Sequence, residues 1–234
     1  DANGNLTITG GTLDSNGFDT YVGGNWTNDD IFLEGTNTVY LDGTANVNLD
    51  SGCADEATCT NENFYNLVID KNALGTTIDL SNTNLRVTGL LEIVTGTLNQ
   101  NTLDVQLEGT SALTVGASGK YSNLSTGDIT LGGTVSNSGE IELNANGASC
   151  GDSDDILLRS TASIQRDWTG SGTFNLTDVD VQYMAGPTVI IALSSTDSGN
   201  NGDNWFIENG CTYIPPSNMI FEGVNMGGVI IEAK

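Results

Sequence analysis

Histidine is absent from this chain of 234 residues, and basic residues are few. Six Lys and Arg stand against 30 Asp and Glu, so the formal net charge is -24 at pH 7. A chain this acidic has no basic patch to release counterions from a phosphate backbone, and we expect no nucleic-acid partner. The missing His also removes the side chain best suited to acid–base catalysis near neutrality, so the sequence predicts a non-enzymatic protein.

Long apolar runs are absent as well. No run approaches the roughly 18 residues that a membrane-spanning helix needs, so we expect no membrane insertion. The sequence starts at Asp1 rather than at Met, which predicts a mature protein secreted after removal of a signal peptide.

Cysteine is scarce but even in number, with four residues and no CxxC spacing. Because His is also absent, zinc is disfavoured, and two disulfides in an oxidising compartment are expected. Three pairings are possible. The sequence favours Cys53–Cys59, which closes a short loop, together with Cys150–Cys211. Both bonds predict an extracellular or cell-surface location.

Short apolar runs of period two are abundant, and they are clearest between Leu85 and Leu143. Such alternation is typical of β-strands, and nothing in this stretch keeps the 3.6-residue period of a helix. The 30 Gly residues, with many Asn, Thr and Ser and only three Pro, suit tight turns between short strands. The pattern predicts an all-β fold made of successive β-solenoid rungs, with about 20 residues in each coil.

Several stretches resemble the β-helical repeats of large secreted bacterial and archaeal surface proteins of the adhesin-like and autotransporter-passenger kind. They are LTITGGTLDSNG from Leu6, VGGNWTN from Val22, FYNLVIDK from Phe64, LRVTGLLEIVTGTLN from Leu85 and STDSGNNGDNW from Ser195. The resemblance covers roughly residues 5–207 and implies a right-handed parallel β-helix on the cell exterior. It implies no particular ligand, because this class carries many functions. We therefore expect a β-helix domain over residues 1–210 and a short C-terminal strand tail over 211–234.

Two polar loops have the oxygen-rich composition that calcium prefers. The candidate ligands are Asp152, Asp154, Asp155, Asp197 and Asp203. Neither loop follows the EF-hand or GGxGxD pattern, and solvated turns explain the same residues. Calcium is the one candidate cofactor; no other is expected.

Four Asn-x-Ser/Thr sequons offer acceptors for N-glycosylation. They begin at Asn5, Asn25, Asn123 and Asn175. Sequons arise often by chance in a chain rich in Asn and Thr, so we regard these positions as candidates only.

The segment after Pro215-Pro216 is the strongest functional signal. From Met219 onward its apolar residues fall on both faces of a strand, which needs cover on both sides. The candidate subunit contacts are Ile220, Phe221, Val224, Met226, Val229, Ile230 and Ile231. The tail either caps its own β-helix or adds a strand to a neighbouring subunit.

The sequence therefore predicts an extracellular structural protein. We expect a self-assembling filament or a surface-layer or adhesin subunit that is joined through its C-terminal strand. Its main partner would be itself, as a homopolymer, with surface glycans as a second class of partner. The alternative is a carbohydrate-binding or carbohydrate-cleaving β-helix protein.

Overall fold

The computed structural model describes residues 3–71, 75–145 and 154–208. These residues form an all-β fold with 24 strands, and no helix occurs among them. The first twelve strands are β1 (Leu6–Ile8), β2 (Thr12–Asp14), β3 (Thr20–Val22), β4 (Trp26–Asn28), β5 (Ile31–Leu33), β6 (Thr38–Leu41), β7 (Val47–Asp50), β8 (Asn66–Asp70), β9 (Thr77–Leu80), β10 (Leu85–Val87), β11 (Leu91–Asn99) and β12 (Val105–Leu107). The others are β13 (Ser111–Asn123), β14 (Ile129–Leu131), β15 (Thr134–Asn137), β16 (Glu140–Asn144), β17 (Ile156–Ser160), β18 (Arg166–Thr169), β19 (Thr173–Thr177), β20 (Val179–Gln182), β21 (Met184–Ala185), β22 (Ile190–Leu193), β23 (Thr196–Gly199) and β24 (Trp205–Ile207).

The strands stack into long ladders, and every pairing between named strands is parallel. Ladder A runs β1-β4-β7-β9-β11-β13-β16-β19-β22-β24, and ladder B runs β10-β12-β14-β17-β20-β23. Ladder C runs β3-β6-β8-β11-β13-β15-β18-β21, and β2 pairs with β5. The long strands β11 and β13 belong to both A and C, so these two ladders form one 16-stranded sheet.

The chain visits the ladders in a repeating order. From β9 to β22 a strand of A is followed by one of B and then one of C, before the chain returns to A one level further along, and in the last coil β23 of B leads directly to β24 of A. Near the start, β2 and β5 take the place of ladder B, and Phe32 and Phe64 continue it through backbone hydrogen bonds to Asn61 and Arg86. The stacked parallel sheets are consistent with a β-solenoid.

The period-two pattern explains which side chains form the core. In ladder B, Leu85 pairs with Val105 and Val105 pairs with Ile129, and all three are buried. The middle residue of each of these three-residue strands points outward and is only partly buried. These middle residues are Arg86, Gln106 and Thr130. Because successive side chains of a strand alternate between faces, stacking equivalent strands aligns their apolar residues in one column. The prediction of β-strands between Leu85 and Leu143 is confirmed, but β11 and β13 are longer than expected, with 9 and 13 residues.

The spacing between coils varies because the connections differ in length. At the start of ladder B, Asn84 accepts a hydrogen bond from the backbone of Asp104, 20 residues later. Asp104 accepts one from Asp128 after 24 residues, and Asp128 accepts one from Leu157 after 29. The predicted spacing of about 20 residues thus holds for the first of these steps. Later coils are longer, and the parallel pairing of ladder B continues through them.

Aromatic side chains fill the core at two levels. Trp26, Phe32 and Phe64 are buried, and their ring centroids lie 4.9 to 5.8 Å apart. At the other level, Trp168 packs edge-on against Trp205 at 5.2 Å. All three Trp are therefore core residues, and none offers an exposed platform for a ligand.

In the described ranges we find no helix with the length and apolarity needed to cross a membrane.

Candidate functional site

An apolar patch lies on the outer face of the last two strands of ladder A. The patch consists of Val189, Ile191, Leu193 and Phe206, whose exposed fractions are 59%, 47%, 48% and 49%. Ile191 pairs in register with Phe206, so these two side chains are neighbours on the same face. In a chain of net charge -24, four large apolar side chains on one surface indicate an interaction site.

The patch follows from a strand that is apolar on both faces. In β22, Ile190 and Ala192 point into the core, while Ile191 and Leu193 point outward. A two-sided apolar strand needs cover on both sides, yet only the inner side is covered by the described residues. The apolar run from Val189 to Leu193 has the composition of a strand that is apolar on both faces. The same two-sided pattern that identified the tail would have revealed the patch.

The residues that follow the patch lie outside the described part of the chain. Strand β24 pairs with β22, and among the described residues it has no second strand partner. The predicted subunit-contact residues, from Ile220 to Ile231, also belong to the range 209–234, which the structure does not describe. Their role therefore stays a prediction.

A polar groove lies at the corner where ladder B turns into ladder C. We call it the corner groove. Its larger part encloses about 430 Å³ and includes Tyr65, Glu108 and Ser111 in its lining. A second, separate depression of about 170 Å³ meets the first at Thr110 and extends to Arg166, and it is the smaller part of the corner groove. The groove therefore crosses several coils along the direction in which they stack.

Ion pairs hold the outer face of ladder B beside this groove. The Arg86 guanidinium lies 2.8 Å from the Glu108 carboxylate, and Gln106 donates a second hydrogen bond to the same oxygen. Further along the ladder, Arg159 pairs with Asp180 at 2.5 Å. Because the guanidinium groups engage carboxylates one coil away, they cross-link successive coils as well as neutralising charge.

Asp128 is the carboxyl group on this ladder with a shifted pKa. Burial raises its pKa, and the hydrogen bond from the Leu157 backbone partly opposes that shift. The neighbouring Asp104 carboxylate raises the pKa further, whereas Arg159 lowers it. Both carboxylates accept backbone hydrogen bonds from the next coil, so their geometry indicates a structural role at the corner rather than a catalytic pair.

The structure joins Cys53 to Cys59, which confirms that predicted disulfide. Cys53 is fully buried, and the Cys59 carbonyl accepts a hydrogen bond from Arg86. The closed loop is thereby tied to the outer face of ladder B. Cys150 and Cys211 lie outside the described residues, so the second predicted bond stays a prediction.

We expect the double substitution Cys53→Ala/Cys59→Ala to lower the free energy of unfolding by about 2 kcal/mol, since a short closed loop constrains the unfolded chain modestly. Urea denaturation of the variant and the wild-type protein measures the difference. Substitution is preferable to a reducing agent, because a reductant would also act on the predicted Cys150–Cys211 bond. Equal denaturation midpoints would show that the loop contributes nothing to stability.

The candidate calcium ligands do not converge within the described ranges. No group of three or more His, Cys, Asp or Glu placed to hold a metal is found there. Asp155 is buried and accepts a hydrogen bond from Thr196. Asp154 also takes part in a polar or electrostatic interaction. Asp197 caps a turn by accepting hydrogen bonds from the Gly199 backbone and the Asn201 amide, and Asp203 is exposed. Asp152 lies outside the described residues, and calcium binding stays a prediction.

The four sequon asparagines differ in accessibility. Asn123 is fully buried and its amide donates to the Gly127 carbonyl, which disfavours a glycan there in the folded protein. Asn5 and Asn25 each accept a hydrogen bond from the backbone of the next coil through the side-chain oxygen. Asn175 is exposed, and its amide donates to Glu140. Glycosylation stays a prediction, and exposure favours Asn5 and Asn175.

No family model, curated protein or solved structure matches this chain. The function must therefore be argued from the fold, the apolar patch and the corner groove.

Proposed function

We propose that this chain is a non-enzymatic extracellular structural protein that assembles with copies of itself. We infer that the ladders close into a right-handed parallel β-helix of the adhesin-like kind. The tail after Cys211 then joins one subunit to the next in a filament or surface layer. The apolar patch on β22 and β24 is the observation that carries the proposal.

The tail and the patch have matching chemistry. The patch is apolar where a soluble monomer would be polar, and the tail sequence is apolar on both faces of a predicted strand, which needs cover on both sides. The tail segment from Met219 to Ile231 of one subunit lies across the patch of its neighbour. Fully burying a side chain such as Ile191 or Phe206 contributes roughly 1.5–3 kcal/mol, so a few such contacts suffice for stable association.

Two further observations support an exterior location. The Cys53–Cys59 bond requires an oxidising environment to persist. The high negative charge keeps subunits soluble and repels them from one another at long range. Self-association must therefore rely on a local apolar contact, and it should strengthen when salt screens the repulsion.

Sedimentation analysis at high protein concentration tests this function. We expect the intact chain to form large assemblies, and we expect a truncated chain lacking Thr212 to Lys234 to remain small. The substitution Ile191→Asp should also prevent assembly, because it places a charge in the patch. Its matched control is Phe18→Asp, which adds the same charge at a side chain that is 73% exposed but lies outside the patch.

Each outcome discriminates between mechanisms. An intact chain that is monomeric at high concentration overturns self-assembly. If the truncated chain aggregates while the intact chain stays monomeric, the tail covers its own patch as a cap. If assembly survives truncation, the tail is not the joining element. If the Ile191→Asp variant assembles as well as the Phe18→Asp variant, the patch is not the contact surface.

A further inference from the structure

The corner groove spans five successive strands of ladder C. Its lining residues lie at the starts of β8, β11, β13, β15 and β18 or just before them. Adjacent strands lie about 4.8 Å apart, so the groove is roughly 19 Å long. That shape suits an extended chain of several linked units better than a compact small molecule.

The groove is lined by groups that recognise hydroxyl-rich ligands. The half-buried ring of Tyr65 offers an apolar face at one end. Exposed hydroxyl groups follow from Thr110 and Ser111, which can donate and accept hydrogen bonds, and from Thr134, which donates to the Thr110 carbonyl and can still accept. An apolar face with several convergent polar groups is the usual composition of a specific binding site.

One carboxylate in the groove is fixed before any ligand arrives. Glu108 accepts hydrogen bonds from Arg86 and from Gln106, which hold it at the edge of the larger part. A side chain that is already ordered loses little entropy on binding. The smaller part of the groove adds the side chains of Arg166 and Asp167, of which Arg166 is itself hydrogen-bonded to Ser160.

We propose that the corner groove binds a neutral polysaccharide chain, a binding activity that goes beyond self-assembly and does not depend on it. The overall charge of -24 repels polyanions such as uronate polymers. At the larger part, Arg86 lies beside the lining and is already neutralised by Glu108, and in the smaller part Arg166 lines the groove next to the acidic Asp167. An uncharged ligand with many hydroxyl groups is therefore the class that the groove accommodates.

Affinity electrophoresis in native gels tests the proposal. The probes are dextran, mannan and xylan cast into the gel, with polygalacturonate as the anionic comparison. The groove variant is Ser111→Arg, which places a long side chain in the groove. Its matched control is Thr173→Arg, which changes an exposed residue at the start of β19 on ladder A by the same charge. All variants are made in the full-length chain and run at a dilution at which the parent protein enters the gel, so any assembly affects the compared proteins alike.

We expect at least one neutral polysaccharide to retard the parent protein and the Thr173→Arg control, while polygalacturonate does not. We expect Ser111→Arg to reduce that retardation at least tenfold, with an unchanged melting temperature. Retardation by none of the neutral probes overturns the proposal. Equal retardation of the two arginine variants, or stronger retardation by polygalacturonate, overturns it as well.

Discussion

Replacement of Gly109 by alanine is expected to destabilise the fold by about 3 kcal/mol or more, the upper end of the usual cost of overpacking. A methyl group at this position would lie 1.8 Å from the Gly89 carbonyl oxygen and 2.6 Å from its carbonyl carbon. Gly89, Gly109 and Gly133 occupy equivalent positions on successive coils, and a methyl group on Gly133 would lie 2.0 Å from the Gly109 carbonyl oxygen. The cost is steric, because the methyl group meets backbone rather than a flexible side chain.

The neighbouring coils cannot move apart to make room. Strands on both sides of this corner, in ladders B and C, are held at the spacing of their backbone hydrogen bonds. Urea denaturation of the Gly109→Ala variant measures the loss.

Gly10→Ala is the matched control, because a methyl group there meets nothing within 4 Å. We expect the control to stay within about 0.5 kcal/mol of the parent protein. A Gly109→Ala protein as stable as Gly10→Ala would show that the coils stack less closely than the structure describes.

Replacement of Lys71 by methionine is expected to stabilise the protein at neutral pH by on the order of 2 kcal/mol. The Lys71 side chain is fully buried, and its ammonium group finds no hydrogen-bond partner among the described residues. Burial lowers the pKa of this amine, and the Asp42 charge opposes the shift only in part. Methionine keeps the unbranched apolar chain that packs beside Gly96 and removes the buried charge.

The gain should depend on pH in a defined direction. The folded-state pKa of Lys71 lies below the ordinary value of 10.5, so between the two values the unfolded chain binds more protons than the folded protein. Stability of the parent protein therefore rises with pH across that window and is lower at more acidic pH. The advantage of Lys71→Met should shrink as pH approaches 10.5, because the unfolded lysine then also loses its proton.

Thermal denaturation of the parent protein and of Lys71→Met across pH 6 to 10.5 measures the difference in their stability. The titration of other groups cancels in this comparison. Lys120→Met is the matched control, since Lys120 lies on the surface within 3.3 Å of Glu140 and 2.6 Å of Glu142. Its loss should cost at most about 1 kcal/mol. If Lys71→Met is less stable than the parent protein throughout, the buried amine has a partner that stabilises it.

The sequence by itself determined the class of fold and the inside of the protein. Alternation in a stretch such as Leu85 to Val87 assigns each side chain to one face, and this local rule needs no knowledge of distant partners. The Cys53–Cys59 bond was also predictable, because a short separation along the chain limits the reach of both residues. The same alternation over β22 would have shown that Ile191 faces outward.

Only the tertiary structure decided which strands are neighbours. Connections of 20 to 29 residues at one corner carry no constant period, so pairings such as Ile129 with Leu158 cannot be read from spacing. Features that depend on strand pairing could therefore not be predicted from the sequence either. They include the contact between Gly109 and Gly89 and the course of the corner groove. The burial of Lys71 also depends on which strands are neighbours and could not be predicted. Hydrophobic alternation specifies the face of a strand, whereas the partner across a ladder depends on how many residues each loop inserts between coils.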